Sequence, residues 1–184
     1  MMLPRPPSAP VALVPVDRSH RAVLGHLGQL FRHDLSEPYG HLPNDDGTFN
    51  DRQLDLFLAG RDPSRRAWLI TAAGRTGGFV MTVAADGGGT SINGFFVVRA
   101  LRRTGVGLAA AAQVIALTPG RWQVAFQRYN PGVEAFWSRV ATRAAGDAWE
   151  IHDGPAPETR PPDTYITFTT TAAQTTAEQA PPDR

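Results

Sequence analysis

The sequence predicts an α+β domain, with mixed α/β character, in which helices cover both faces of one largely antiparallel sheet of about six to seven strands. Two observations carry this prediction. Apolar residues alternate between the twofold spacing of strands and the three-to-four spacing of helices. Three consecutive apolar runs are joined by short Gly-rich turns, which indicates antiparallel neighbours. The length of 184 residues suits one domain, which we place at residues 1–170.

The first third of the chain is predicted to hold one strand and two helices. Residues 11–16 form a short apolar run typical of a strand. A helix is predicted over 19–35, because four apolar residues fall three and four apart: Leu24, Leu27, Phe31 and Leu35. A polar loop over 36–50 then leads to a short helix near 51–60.

The middle of the chain is predicted to form an antiparallel meander over residues 67–73, 78–85 and 91–98. The third of these runs is apolar on both faces, since Phe95 and Phe96 point to opposite sides of a strand. We therefore expect it to be a central strand that is covered on both sides.

The last part of the chain alternates helices and strands again. A helix follows the meander and ends near residue 117. Next come a strand at 122–127, an amphipathic helix at 131–144, and two further short strands near 148–152 and 164–170. The small and polar residues 171–184 offer nothing to bury, so we expect a disordered tail there.

The composition argues against several classes of protein. The formal net charge is +1, which disfavours nucleic acid as a partner. No stretch approaches the ~20 apolar residues that span a bilayer, so we expect a cytoplasmic protein without a membrane partner. The chain has no cysteine, and its histidines lack the compact spacing of a metal site. We therefore expect no metal cofactor.

Three arginines precede a helix N-terminus, which is already the positive end of the helix dipole. They are Arg99, Arg102 and Arg103. Gly105 and Gly107 are predicted to lie in the first turn, where each costs about 0.8–1 kcal/mol relative to alanine. Both features are explained if the unpaired N–H groups of this turn bind a phosphate.

The run 105–110 also fits the dinucleotide-binding pattern G-x-G-x-x-A, but its surroundings do not. In that fold the strand ends at the first glycine, and an acidic residue about 20 positions on holds the ribose. Here a loop with arginines separates Val98 from Gly105, and the next strand ends at Gln127. A P-loop is excluded because the sequence has no G-K-[ST].

The pattern Arg102-x-x-Gly105-x-Gly107 follows the fourth predicted strand and opens an Ala-rich helix. A further strand then leads to Asn130 and to a helix with the aromatic pair 136–137. This combination resembles the core of GNAT-superfamily N-acetyltransferases. The resemblance spans residues 67–145 and implies the GNAT fold, with splayed fourth and fifth strands and acetyl-CoA as co-substrate.

The resemblance also implies which residues bind the cofactor. Pantetheine would pair with the backbone along the fourth strand, where Val98 would polarise the thioester carbonyl. The implied contacts are Phe96, Val97, Val98, Arg102, Arg103, Thr104, Gly105, Val106, Gly107, Asn130 and Trp137. Two of them have a structural alternative. Asn130 and Pro131 also suit the first positions of a helix, and Trp137 lies on an apolar face.

The sequence departs from the family at two catalytic positions. Gly94 stands where many relatives have a glutamate, and Trp137 stands where many have a tyrosine acid. Replacement candidates for catalysis are His33, Asp34, Glu37 and Asn93. Those for binding the acceptor are His33, Asp34, Glu37, Tyr39 and His41. Carboxylates attract a cationic amine, and imidazoles exchange protons near neutral pH. Proximity of the amine to the thioester is the alternative to a proton relay.

The expected function is an N-acyltransferase that moves acetyl from acetyl-CoA to a primary amine of a small molecule by direct attack in a ternary complex. One alternative is a donor carried on an acyl carrier protein. Another is a GNAT domain without catalysis that binds an acyl-CoA or a partner protein. The sequence leaves a homodimer open.

Overall fold

A computed structural model describes residues 10–50, 54–58, 62–128, 130, 132–155 and 163–171. It confirms the predicted α+β class. Within these ranges, seven strands form a sheet in the order β1-β2-β3-β4-β5-β7-β6. The strands are β1 (Val11–Pro15), β2 (Arg66–Ala72), β3 (Arg75–Ala84), β4 (Thr90–Val97), β5 (Gly120–Phe126), β6 (Trp149–Asp153) and β7 (Thr164–Thr170). The helices are α1 (Arg21–Tyr39), α2 (Val106–Ala116) and α3 (Val133–Ala145).

The strand pairing follows the predicted meander. β1 and β2 are antiparallel, as are β2 and β3, with an irregularity between Ile70 and Thr71. β5 and β6 both pair antiparallel with β7. β4 and β5 are parallel, and their ladder joins Thr90–Ile92 to Trp122–Val124. β4 occupies the fourth of seven places, as the prediction of a central strand requires. The splay beyond this ladder stays a prediction.

The chain divides into two compact units. The first contains residues 1–83 and 93–110, and the second contains 84–92 and 111–184. The core of the first unit is built around three phenylalanines, Phe31, Phe79 and Phe96, whose ring centroids are 5.5–5.9 Å apart. Leu24 of α1 is fully buried in the same cluster. This core fixes α1 against β3 and β4.

The core of the second unit lies between α3 and the strands β5 and β7. Trp122 is fully buried, and its indole N–H donates to the carbonyl oxygen of Thr118 over 2.9 Å. Val124 and Ile166, which are partners across the two strands, are buried as well. Val140 of α3 completes this core. None of the helices in the described ranges is long and apolar enough to cross a bilayer.

α1 is longer than predicted. The polar segment 36–39 was expected to be loop, yet the helix continues through Pro38 to Tyr39 and ends at Gly40, whose φ is 66°. Left-handed backbone of this kind is the usual helix stop. The second predicted helix is only a 3₁₀ turn, Leu54–Phe57, and the rest of 51–60 lies mainly outside the described residues. The predicted tail lies outside them too, from residue 172 onward.

The predicted cap of the last helix is wrong. α3 begins at Val133, and its N-cap is Gly132, which has no side chain that could cap the helix. Asn130 lies two residues further upstream, and Pro131 lies outside the described residues. The proline pattern misled the prediction because it placed the start of the helix about two residues early.

The packing of α1 generates a stability prediction. Leu24→Ala should lower the free energy of unfolding by about 2–5 kcal/mol, because it leaves a cavity in a core that excludes water. Leu30→Ala on the same helix is the matched control. Its side chain is 52% exposed, so we expect a change below about 0.5 kcal/mol. Urea unfolding of both variants measures the difference, and equal losses would contradict the packing described here.

Candidate active site

The predicted phosphate loop connects β4 to α2. A 3₁₀ turn, Arg99–Leu101, follows β4, and the Thr104 hydroxyl donates to the carbonyl oxygen of Leu101 over 2.6 Å. The Ala109 N–H donates to the carbonyl oxygen of Gly105 over 3.0 Å. Gly105 is therefore the residue that precedes the helix rather than part of its first turn, and only Gly107 lies within that turn. This corrects the predicted start of the helix.

The backbone of this loop has an unusual handedness. Arg103 has a φ of 62° and Gly105 has a φ of 94°, with Thr104 between them outside the left-handed region. Backbone that alternates its handedness in this way turns successive N–H groups toward one side, which forms a concave site for anions. Gly105 suits its position because side chains are strained at that φ. Arg103 carries the strain instead.

Arg99 and Arg102 bind the same carboxylate of this chain. The Arg99 Nε and Nη2 atoms donate to Asp34 Oδ1 over 3.0 and 2.8 Å. The Arg102 Nη2 atom donates to the other oxygen, Oδ2. The Asp34 side chain is 19% exposed, whereas Arg99 remains 69% exposed. The arginine-rich sequence predicts a nearby anion, and the Asp34 carboxylate of α1 supplies part of that negative charge.

The pKa of the Asp34 carboxyl is lowered from its usual value near 3.8. Partial burial alone would raise this pKa. The hydrogen bonds from Arg102 and Arg99, together with their positive charges, outweigh that effect. Asp34 is therefore a carboxylate at neutral pH, and both of its oxygens are engaged. A role for this residue as a proton acceptor in catalysis stays an untested prediction.

The backbone of β4 divides its hydrogen bonds between two edges. The Val98 N–H donates to the Gly77 carbonyl oxygen over 2.9 Å, so it is engaged with β3. This contradicts its predicted role as the donor to a thioester. Val97 points its backbone groups to the opposite edge, because neighbouring residues of a strand alternate. At that edge the Arg102 Nε donates to the Val97 carbonyl oxygen over 2.7 Å.

Arg102 is held from three sides. Its guanidinium also lies over the Phe96 ring, 5.7 Å from the centroid, in a cation–π contact. The side chain thus connects the strand, the core and α1. Through its contacts with Val97 and Asp34, Arg102 fixes the start of the loop to β4 and α1.

The last turns of α1 carry most of the residues predicted for the acceptor side. His33 and Glu37 are exposed and lie four positions apart, so they share one face of the helix. Tyr39 stacks on His41 with their ring centroids 5.4 Å apart. Among the described residues, no group of three or more acidic or histidine side chains is arranged to hold a metal.

The sequence did not reveal how the loop after α1 is attached. The Gln29 side-chain amide donates to the Phe49 carbonyl oxygen over 2.9 Å, and the Phe49 N–H donates to the Gln29 side-chain oxygen over 2.7 Å. This places the Phe49 ring edge-on to His33, with the centroids 6.5 Å apart. A glutamine on a polar helix face gives no sequence signal for such a contact.

The structure separates Asn93 from the α1 residues with which it was grouped. Gly94 lies on the face of β4 that packs on Phe79 and Met81, toward the core that contains α1. Asn93 is its neighbour and so faces the other side of the sheet. A side chain at Gly94 would crowd Phe79, since an added Cβ would lie 3.3 Å from that ring.

The two remaining predicted contacts lie in the second unit. Trp137 is buried and contacts Phe136 edge-on, at 4.9 Å between ring centroids, which agrees with a packing role for this side chain.

The Asn130 N–H donates to the Gln127 carbonyl oxygen over 3.0 Å within a turn. Arg128, in the same turn, forms ion pairs with Glu134 and Asp153 at 3.1 and 3.0 Å. A cofactor role for Asn130 and Trp137 stays a prediction.

This chain has the fold of the GNAT acetyltransferases. The similarity covers almost the whole length of each of three solved structures. An acetyltransferase from Thermus thermophilus superposes with a TM-score of 0.64 at 16% identity, covering 88% of this chain and 98% of that one.

Two further similar structures contain bound ligands. AAC(6')-Ib, solved with paromomycin and acetyl-CoA, gives a TM-score of 0.63 at 16% identity and covers 92% and 99% of the two chains. RimL, a ribosomal L7/L12 alpha-N-protein acetyltransferase solved with coenzyme A, gives 0.62 at 14%, covering 91% and 98%. No family model and no curated protein matches this sequence. At these identities the likeness establishes the fold alone.

The strained backbone at Arg103 can be measured. Arg103→Gly should be more stable to unfolding than Arg103→Ala by about 1 kcal/mol, because glycine adopts a left-handed φ without the Cβ clash. At Ala100, in the preceding 3₁₀ turn, the order should reverse, with Ala100→Gly losing about 0.5–1 kcal/mol. Urea unfolding of the variants provides the comparison. A more stable Arg103→Ala would show that this backbone is not left-handed.

Proposed function

We propose that this protein is an N-acyltransferase that transfers an acetyl group from acetyl-CoA to a primary amine. The observation that carries the proposal is the loop 102–105, whose backbone alternates in handedness directly before the α2 N-terminus. Such a loop presents several N–H groups to one anion, and the helix dipole favours negative charge there. The GNAT fold supports the same cofactor.

The residues present fit a pyrophosphate. An added Cβ at Gly105 would meet no atom within 4 Å, so the space in front of this residue is open. The N–H groups from Arg103 to Gly107 would bind the phosphates, and the cation of Arg103 would add charge attraction. Arg99 and Arg102 contribute less directly, because Asp34 already neutralises part of their charge.

The edge of β4 opposite β3 fits the pantetheine arm. Val97 directs its N–H to this edge, so it replaces Val98 as our proposed donor to the thioester carbonyl. A donor placed there would stabilise the negative charge that develops on the carbonyl oxygen when the amine attacks. When bound, acetyl-CoA supplies the activated acyl group.

The last turns of α1 are our proposed acceptor side. Glu37 would attract a cationic amine, and the His33 imidazole would take a proton from the ammonium group, which leaves the neutral amine free to attack. Tyr39 and His41 would form an aromatic wall beside them. The neutral amine nitrogen would add to the thioester carbonyl. The C–S bond would then break, and the CoA thiolate would leave and take up the proton that the new amide nitrogen loses. Proximity in the ternary complex would lower the barrier further.

The acceptor class is a small-molecule amine. AAC(6')-Ib was solved with the small molecule paromomycin, whereas RimL acts on a protein N-terminus. The exposed carboxylate of Glu37 and imidazole of His33 suit a compact cation. A donor on an acyl carrier protein would bring one phosphate in place of two, and a loop that offers several N–H groups favours the larger anion. A GNAT domain without catalysis would bind CoA and transfer nothing.

Calorimetric titration with acetyl-CoA, CoA and phosphopantetheine tests the cofactor. We expect both CoA forms to bind more tightly than phosphopantetheine, because only they carry a pyrophosphate. Gly107→Val should weaken CoA binding more than tenfold, which is about 1.4 kcal/mol, by blocking the approach of the phosphates. Gly25→Val is the matched control, since this helical glycine has open space around it and lies outside the loop. Equal affinity of wild type and Gly107→Val would refute the phosphate site.

An amine panel tests the acceptor side. His33→Ala should lower kcat by about a hundredfold or more if its imidazole is the general base, while the Kd for CoA stays unchanged. Glu37→Gln should raise KM for cationic amines. His26→Ala, an exposed histidine on the same helix, is the control and should keep full activity. Full activity of His33→Ala would refute the base assignment, and no transfer to any amine would favour the binding-only alternative.

A further inference from the structure

The last two turns of α1 have a weakened backbone. Pro38 lies inside the helix and has no N–H, so the Asp34 carbonyl oxygen loses the hydrogen bond that residue i+4 normally donates. The Ser36 hydroxyl donates to the His33 carbonyl oxygen over 2.7 Å, which is a side-chain hydrogen bond and not one of the backbone hydrogen bonds of the helix. No basic side chain in the last turn stabilises this end. The segment therefore depends on tertiary contacts.

Asp34 supplies such a contact. Asp34 is also the residue whose carbonyl oxygen lacks a helical hydrogen bond. Its carboxylate binds Arg99 at one end of the 3₁₀ turn and Arg102 just after the other end. Arg102 is in turn fixed to the Val97 carbonyl oxygen. One carboxylate thus joins the end of α1 to the start of the phosphate loop.

We propose that Asp34 is a positioning residue that couples occupancy of the phosphate loop to the order of the α1 end. The inference rests on the proposed function, because the anion that fills the loop is the CoA pyrophosphate. An anion on the N–H groups of residues 103–107 holds the loop in one conformation, and Arg99 and Arg102 then hold Asp34. Cofactor binding would thereby order the turns that carry His33 and Glu37 before the amine arrives.

The coupling is reciprocal. A ligand that orders the α1 end must strengthen CoA binding by the same factor, since coupling free energies between two sites are symmetric. Asp34 performs this role with its charge and both oxygens, so Asp34→Asn should remove most of it without changing the shape of the side chain. Competition between Asp34 and the pyrophosphate for the arginines would have the opposite sign, with Asp34→Asn binding CoA more tightly.

Hydrogen exchange tests the coupling without an acceptor. In the ligand-free protein, Asp34→Asn should speed exchange about fivefold in peptides covering both 33–39 and 99–105, the low end of the range for coupled sites. On addition of CoA, both regions of the wild type should slow. In Asp34→Asn at saturating CoA, only the loop should slow. Asp55→Asn is the matched control, because it breaks an ion pair between Asp55 and Arg21 at the other end of α1.

The outcomes separate the two proposals. Failure of the wild type to bind CoA refutes the proposed function, and the ligand-free comparison still decides whether Asp34 joins the two segments. The coupling alone is refuted if CoA slows hydrogen exchange of residues 33–39 in Asp34→Asn, or if it fails to slow that exchange in the wild type. Tighter CoA binding by Asp34→Asn than by the wild type also refutes it. If Asp34→Asn does not fold, Arg99→Ala serves instead, since that side chain is mostly exposed and should show the same loss in part.

Discussion

The ion pairs of Asp34 with Arg99 and Arg102 are the interaction on which the candidate site depends. An arginine-rich segment ahead of a helix N-terminus is unfavourable, because the dipole and the side chains have the same sign. α1 relieves two of the three charges with one carboxylate that is mostly shielded from water. The third cation, Arg103, sits on left-handed backbone, which is strained for a residue that carries a side chain.

The same contact changes how the arginines are interpreted. A count of three arginines next to two glycines favours a site in which every cation faces a phosphate. In the structure, Arg102 instead braces β4 and α1, and the backbone N–H groups are left as the main proposed donors. Donors that are already oriented need little reorganisation when an anion arrives, so this division of labour suits the binding of a phosphate.

Asp34 was grouped with His33 and Glu37 on the sequence because the three are close along the chain. They are separated by helix geometry, since residues one position apart on a helix point about 100° apart. His33 and Glu37 share an exposed face, while Asp34 turns to the arginines. Asn93 is separated from them for a related reason, since successive residues of a strand face opposite sides of a sheet and its neighbour Gly94 faces the core that contains α1.

The sequence by itself determined the class of fold, the strand meander, the central place of β4 and the glycine-containing loop between β4 and α2, because each depends on local periodicity and on glycine. It did not determine that α1 runs through Pro38, that α3 begins at Val133 after an uncapped glycine, or that Val98 donates to Gly77. Nor did it show that Gln29 holds Phe49, or that Asp34 meets arginines 65 and 68 residues away. These contacts join segments that are distant along the chain, and only tertiary packing decides which polar groups meet.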